Sequence, residues 1–144
     1  MQVLVTGGLG YIGSHTSVLL LEKGYDLVIV DDLSNSNIEV LENIYKITGK
    51  KPVFEKIDLK DRKAVSTLFK NYDFNGIIHF AAHKSVNESV NYPKKYFSNN
   101  VGSLENIIAE TKLLDKPMNF IFSSSCTVYG LSLIHISEPT RPLI

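Results

Sequence analysis

Seven consecutive residues, Gly7-Gly8-Leu9-Gly10-Tyr11-Ile12-Gly13, have the glycine spacing that lets a backbone approach a phosphate. They satisfy both G-x-x-G-x-x-G and G-x-G-x-x-G, and they join an apolar run, Gln2 to Thr6, to a stretch from Ile12 to Lys23 that reads as a helix. At such a junction the chain must turn tightly, meet a pyrophosphate closely and pack the helix against the sheet, and a side chain would obstruct each step. The N–H groups that open the helix, reinforced by its dipole, then face the phosphates. Asp31 follows roughly 20 residues after the glycines, where a carboxylate accepts hydrogen bonds from both ribose hydroxyls of an adenosine. With Asp32 beside it and no Arg or Lys before Lys46, a 2′-phosphate would be repelled, so the pattern favours NAD over NADP. Asp32 reads equally well as a solvated loop carboxylate. Asp58 can reach an adenine amino group or simply cap the following helix. Ser123-Ser124-Ser125 offers hydroxyls for a proton relay at a carbonyl oxygen; the plain alternative is that the triplet ends a strand and caps backbone groups.

The elements that must hold these residues alternate. Short β-branched runs at Gln2–Thr6, Leu27–Val30, Val53–Ile57, Ile77–Phe80 and Phe120–Phe122 read as strands. Between them, Ile12–Lys23 with Val18, Leu19 and Leu21 inward, Glu39–Ile47, a helix capped by Asp61 and running through Lys70, and Tyr96–Leu114 read as helices, with Ala81–Tyr92 a loop before Pro93. That rhythm predicts an α/β fold, a Rossmann-type doubly wound parallel sheet truncated after about five strands.

Composition narrows the function classes. The chain has 144 residues, 44% hydrophobic and 21% charged, within the range of one globular domain. Lys+Arg 15 against Asp+Glu 15 leaves no basic field for nucleic acid or an anionic membrane. No segment has the ~18 apolar residues of a membrane span, and one cysteine, Cys126, forms no internal disulfide, so a cytoplasmic location is expected. His15, His79 and His83 lack the spacing and company of metal ligands and read as packing or loop histidines; no metal is expected.

TGGLGYIGSH at Thr6–His15, DDLSNS at Asp31–Ser36, HFAAHKSVNESV at His79–Val90, NNV at Asn99–Val101 and FIFSSSCTVYG at Phe120–Gly130 together resemble the UDP-glucose 4-epimerases of the extended short-chain dehydrogenase/reductase superfamily. The resemblance implies that Gly7, Gly10, Tyr11 and Ile12 hold the pyrophosphate of NAD, that Asp31, Asp32, Asn35 and Ser36 surround the adenosine ribose, and that Asp58 and Leu59 bound the adenine. It places Phe80, Ala81, Ala82 and Lys84 beneath the cofactor, with Asn99 supporting that loop. It makes Ser125 the catalytic serine and counts it among the cofactor contacts. Asp32, Ala82 and Cys126 depart from the family's commoner residues. The implied reaction interconverts UDP-glucose and UDP-galactose by transient oxidation at sugar C4, in a homodimer built partly through the Tyr96–Leu114 helix.

The family's Y-x-x-x-K pair puts a lysine one helical turn from the catalytic tyrosine, lowering its pKa. None of the seven tyrosines here has a lysine four residues on: His15, Ile29, Gly49, Gly76, Tyr96, Asn100 and Leu133 occupy those positions. Residues 1–130 are therefore expected to be an incomplete NAD-binding domain without turnover of its own, the substrate domain being absent. Leu131–Ile144 breaks from the family pattern, is similar to a translated sequencing-library adapter, and reads as a non-native tail. Two further readings stand beside the epimerase: a non-catalytic NAD-binding module and a sister nucleotide-sugar dehydratase.

Overall fold

A computed structural model of the chain describes residues 1–83 and 85–124. Lys84, Ser125, Cys126 and the expected tail, 131–144, lie outside the described residues. Five strands, β1 (Gln2–Thr6), β2 (Asp26–Asp31), β3 (Val53–Lys56), β4 (Gly76–His79) and β5 (Asn119–Phe122), pair all in parallel in the order β3-β2-β1-β4-β5. This is the doubly wound α/β sheet that the alternating runs predict. β1 sits centrally, pairing Val3 with Leu27 on one side and with Gly76 on the other.

The period-2 alternation of strands sorts the side chains into two cores. Val3 and Val5 of β1 with Leu27 and Ile29 of β2 pack with Leu21 and Ile44, which come from α1 (Tyr11–Glu22) and α2 (Glu39–Thr48). Leu4, Val28, Val30 and Ile77 point the other way, onto Val65, Leu68 and Phe69 of α3 (Arg62–Asn71) and Ile107 of α6 (Gly102–Leu113). Helices thus cover both faces, which is why β1 and β2 read as continuous apolar runs.

The helix ends follow local chemistry. Asp61 caps α3 by accepting the N–H groups of Lys63 at 3.1 Å and Ala64 at 3.3 Å. Gly49 ends α2 in the left-handed region at φ 68°. On α1 the inward row is Gly13, Ser17 and Leu21, one residue every four. The expectation for Leu19 is corrected: it is 59% exposed, because two positions from Leu21 on a helix is the far side. Ser17 is tolerated in the inward row because its hydroxyl donates to the Gly13 carbonyl at 2.8 Å.

The stretch expected to be a loop followed by one long helix is built differently. A short helix α4 (Val86–Asn91), capped by the Ser85 hydroxyl, precedes α5 (Pro93–Tyr96), and a π-helical turn at Phe97–Val101 joins α5 to α6. The wider turn rotates Asn99 and Asn100 toward the end of β4. Asn99 reaches the cavity described below, and Asn100 engages the backbone of His83.

Candidate nucleotide site

Strand order reverses between β1 and β4, and in an open parallel sheet a crevice forms at that point beyond the carboxyl ends of the strands. A cavity of about 420 Å³ lies there. Every nucleotide-site position expected from the sequence that falls among the described residues lines it. Gly7, Gly10, Tyr11 and Ile12 come from the turn after β1; Asp31, Asp32, Asn35 and Ser36 from β2 and its loop; Asp58 and Leu59 from the segment after β3; Phe80, Ala81 and Ala82 from the segment after β4; and Asn99 from the π turn. Gly13, the last glycine of the expected turn, also lines it, and Val30, Ser34, Ile57, His83 and Ser103, which sequence reasoning did not single out as site residues, complete the lining. For Ser103 a signal existed, since it stands four residues beyond Asn99 on the same helical row.

The glycine turn is fixed by contacts that leave no room for a side chain. Gly7 has φ +66°, and a Cβ there would meet the Ala81 nitrogen at 2.8 Å; its own N–H donates to the Val30 carbonyl at 2.8 Å. A Cβ on Gly13 would lie 2.1 Å from the Gly7 carbonyl oxygen, so α1 can start this close to the turn only with glycine there. At Gly10 an added Cβ would come within 3.3 Å of the Gly7 oxygen. No side chain caps α1, and its first turn carries no acidic residue. The first-turn N–H groups, which a helix leaves without intrahelical partners, sit at Tyr11, Ile12 and Gly13 on the cavity wall. Such a terminus suits an anion.

Asp31 is 9% exposed and well supplied with donors. Its Oδ1 accepts the Leu33 N–H at 3.0 Å and the Ser36 hydroxyl at 2.7 Å, and its Oδ2 accepts the Leu9 N–H at 3.2 Å. A carboxylate offers about four lone-pair directions, so acceptor capacity remains. Ser36 therefore acts on the site through Asp31 as well as lining the cavity. Burial alone would raise the Asp32 carboxyl, yet it is held below the usual carboxylate range. Hydrogen bonds from the Ser34 amide at 3.0 Å and hydroxyl at 2.7 Å, with the charge of His83, outweigh the burial. Asp58 accepts the Lys60 N–H at 3.0 Å in a turn and lines the cavity, while the cap of α3 is Asp61.

Beneath the cavity, Thr6 Oγ1 lies 2.6 Å from His79 Nδ1 and accepts the Ala81 N–H at 3.3 Å. Phe80 N–H donates to the Thr6 carbonyl at 3.0 Å, so the end of β1 holds the Phe80–Ala81 floor at two points. Burial pushes the His79 imidazole down to about 4, which keeps it neutral. The His79 carbonyl accepts the Ser123 N–H at 3.1 Å, tying the start of the serine triplet to β4. Among the described residues no three or more His, Cys, Asp or Glu side chains gather as a metal site, and no helix is long and apolar enough to cross a membrane.

A parallel sheet with this strand order and a glycine turn at its switch point defines a Rossmann-type nucleotide-binding domain. A family profile described as GDP-mannose 4,6 dehydratase matches residues 4–143. The UDP-glucose 4-epimerase uge1 of Schizosaccharomyces pombe is 51% identical over 140 residues, covering 97% of this chain and 37% of the relative. The chain belongs to this family of NAD-dependent nucleotide-sugar epimerases and dehydratases. The UDP-glucose 4-epimerase of Bacillus subtilis is 47% identical over 131 residues, 91% of this chain and 38% of that one. Among solved structures, the UDP-glucose 4-epimerase of Bifidobacterium longum, in complex with NAD+ and UDP, superposes with a TM-score of 0.86 at 41% identity, over 90% of this chain and 38% of that one. The chain thus spans under two fifths of the length of these relatives.

Proposed function

We propose that the whole protein carrying this chain interconverts UDP-glucose and UDP-galactose in the cytoplasm, as a homodimer that keeps NAD bound, and that residues 1–130 supply its nucleotide half. The observation that carries the reading is the convergence of the glycine turn, the open N-terminus of α1 and the buried Asp31 on one cavity at the switch point. The epimerase relatives at 44–51% identity support this reaction within the family.

NAD bound in this cavity would supply reversible hydride acceptance at sugar C4. The chain's own residues bind and orient. The α1 N-terminus and Gly7, Gly10, Tyr11 and Ile12 hold the pyrophosphate; Asp31 accepts from the ribose hydroxyls, with Asp32, Asn35 and Ser36 around them; Asp58 and Leu59 bound the adenine. Phe80, Ala81 and Ala82 form the floor and Asn99 supports it, and the family resemblance gives Lys84 a role at the phosphates and ribose. By the family resemblance, Ser125 would hydrogen-bond the sugar oxygen and relay its proton to the tyrosine of the family's Y-x-x-x-K pair as base; Lys84 and Ser125 lie outside the described residues. This chain alone is proposed to bind NAD without turnover.

The test is to incubate the whole protein with UDP-galactose and no added NAD and to follow UDP-glucose by chromatography. Conversion supports the reading. No conversion in either direction by NAD-loaded protein sinks it, and a 4-keto-6-deoxy product would instead assign the dehydratase chemistry for which the family profile is named.

A further inference from the structure

Three carboxylates, Asp31, Asp32 and Asp58, line the cavity, and a nucleoside diphosphate would bring further negative charge to it. Among the described lining residues, His83 is the single side chain that can carry a positive charge. Its backbone is held from both sides by one residue: the His83 N–H donates to Asn100 Oδ1 at 2.8 Å, and its carbonyl accepts from Asn100 Nδ2 at 3.0 Å. The imidazole packs against the buried Tyr96 ring, with centroids 5.3 Å apart. Tyr96 is fixed in turn, its hydroxyl accepting the Ser85 N–H and donating to Glu88 Oε2, each at 3.0 Å.

Among the described residues, the charged groups that face His83 are Asp32 on the loop after β2 and Glu88 of α4, the latter paired with Lys95 of α5. Glu88 is thereby neutralised locally, while Asp32 faces the cavity. A fixed loop, a ring braced from behind and a surplus of carboxylates around it describe a donor held for an anion rather than a side chain left in solvent.

Resting on the nucleotide-site reading above, we propose that His83 is a nucleotide-binding side chain whose imidazole donates a hydrogen bond to the diphosphate from the β4 side, opposite the N-terminus of α1. It offsets the carboxylates that select the ribose, so that one cavity accepts both the hydroxyls and the phosphates.

The test is calorimetric titration of the whole protein, freed of nucleotide, with NAD, ADP and adenosine, for the unsubstituted protein and for His83→Leu and His83→Gln. Loss of one hydrogen bond to a charged group predicts about ten- to a hundredfold weaker NAD and ADP binding in His83→Leu, with adenosine affinity unchanged and His83→Gln in between. Undiminished NAD and ADP binding by His83→Leu would overturn the proposal. So would an equal loss of adenosine, which would show that the residue only shapes the loop. If the unsubstituted protein binds no NAD, the nucleotide-site reading itself falls, and this inference with it.

Discussion

Asp31, at the end of β2, accepts the N–H of Leu9 in the glycine turn at 3.2 Å across 22 residues of chain. The carboxylate expected to read the ribose is therefore also a brace between two loops of the cavity. Asp31→Asn keeps one acceptor oxygen and lowers NAD affinity about ten- to a hundredfold. Asp31→Ala additionally strands the N–H groups of Leu9 and Leu33 and costs about 1–3 kcal/mol of stability. Calorimetry with NAD and denaturant unfolding separate the two effects.

The glycines divide by what surrounds them. Gly7→Ala combines a φ of +66° with a backbone atom 2.8 Å from the new Cβ, whereas Gly49, at φ +68°, has nothing within 4 Å. Gly49→Ala is expected to cost only the left-handed strain of about 1–2 kcal/mol and to leave NAD binding intact. Gly7→Ala is expected to cost more and to abolish binding. Paired unfolding and binding measurements on both variants check the contrast.

His79 gives the protein a pH dependence. Its imidazole falls from an ordinary 6.5 to about 4 through burial, so the folded protein binds fewer protons than the unfolded chain between those values. Its neutral form stabilises the fold fully above about pH 6.5, and that stabilisation is lost as pH falls toward 4. From pH 8 to pH 5 the loss is roughly 2 kcal/mol. In His79→Asn the titration is gone, so its stability deficit relative to the unsubstituted protein shrinks over that interval, as urea unfolding at the two pH values measures.

Asp61, which caps α3 and does not line the cavity, is the control. Asp61→Ala removes the acceptor for Lys63 and Ala64 N–H and lowers stability by about 1 kcal/mol, while NAD affinity stays as it was.

Much of this was legible because local and global signals agree. Gln2–Thr6 reads as a strand by composition and is β1 to the residue; Asp61 reads as a cap and is one. Of the cavity lining, the glycine turn, Asp31, Asp32 and Asp58 were legible from spacing and strand ends, whereas Asn35, Ser36, Leu59, Phe80, Ala81, Ala82 and Asn99 came through the family resemblance. Other features had no local signal. Leu19 is as apolar as Leu21, and only the close approach of α1 at Gly13 and Ser17 decides which one is buried. The π turn at Phe97–Val101 looks like ordinary helix in sequence, and the contact that accompanies it, Asn100 on the His83 backbone, joins residues 17 apart. His83 reads as a loop histidine until Asn100 and Tyr96, remote in sequence, bring it to the cavity.

The most direct measurement is to purify the whole protein without added nucleotide, denature it, and identify by mass what is released. The account predicts NAD or NADH at near one molecule per chain. NADP in its place would contradict the role given to Asp31 and Asp32, and release of no nucleotide from protein that also fails to take up added NAD would contradict the site.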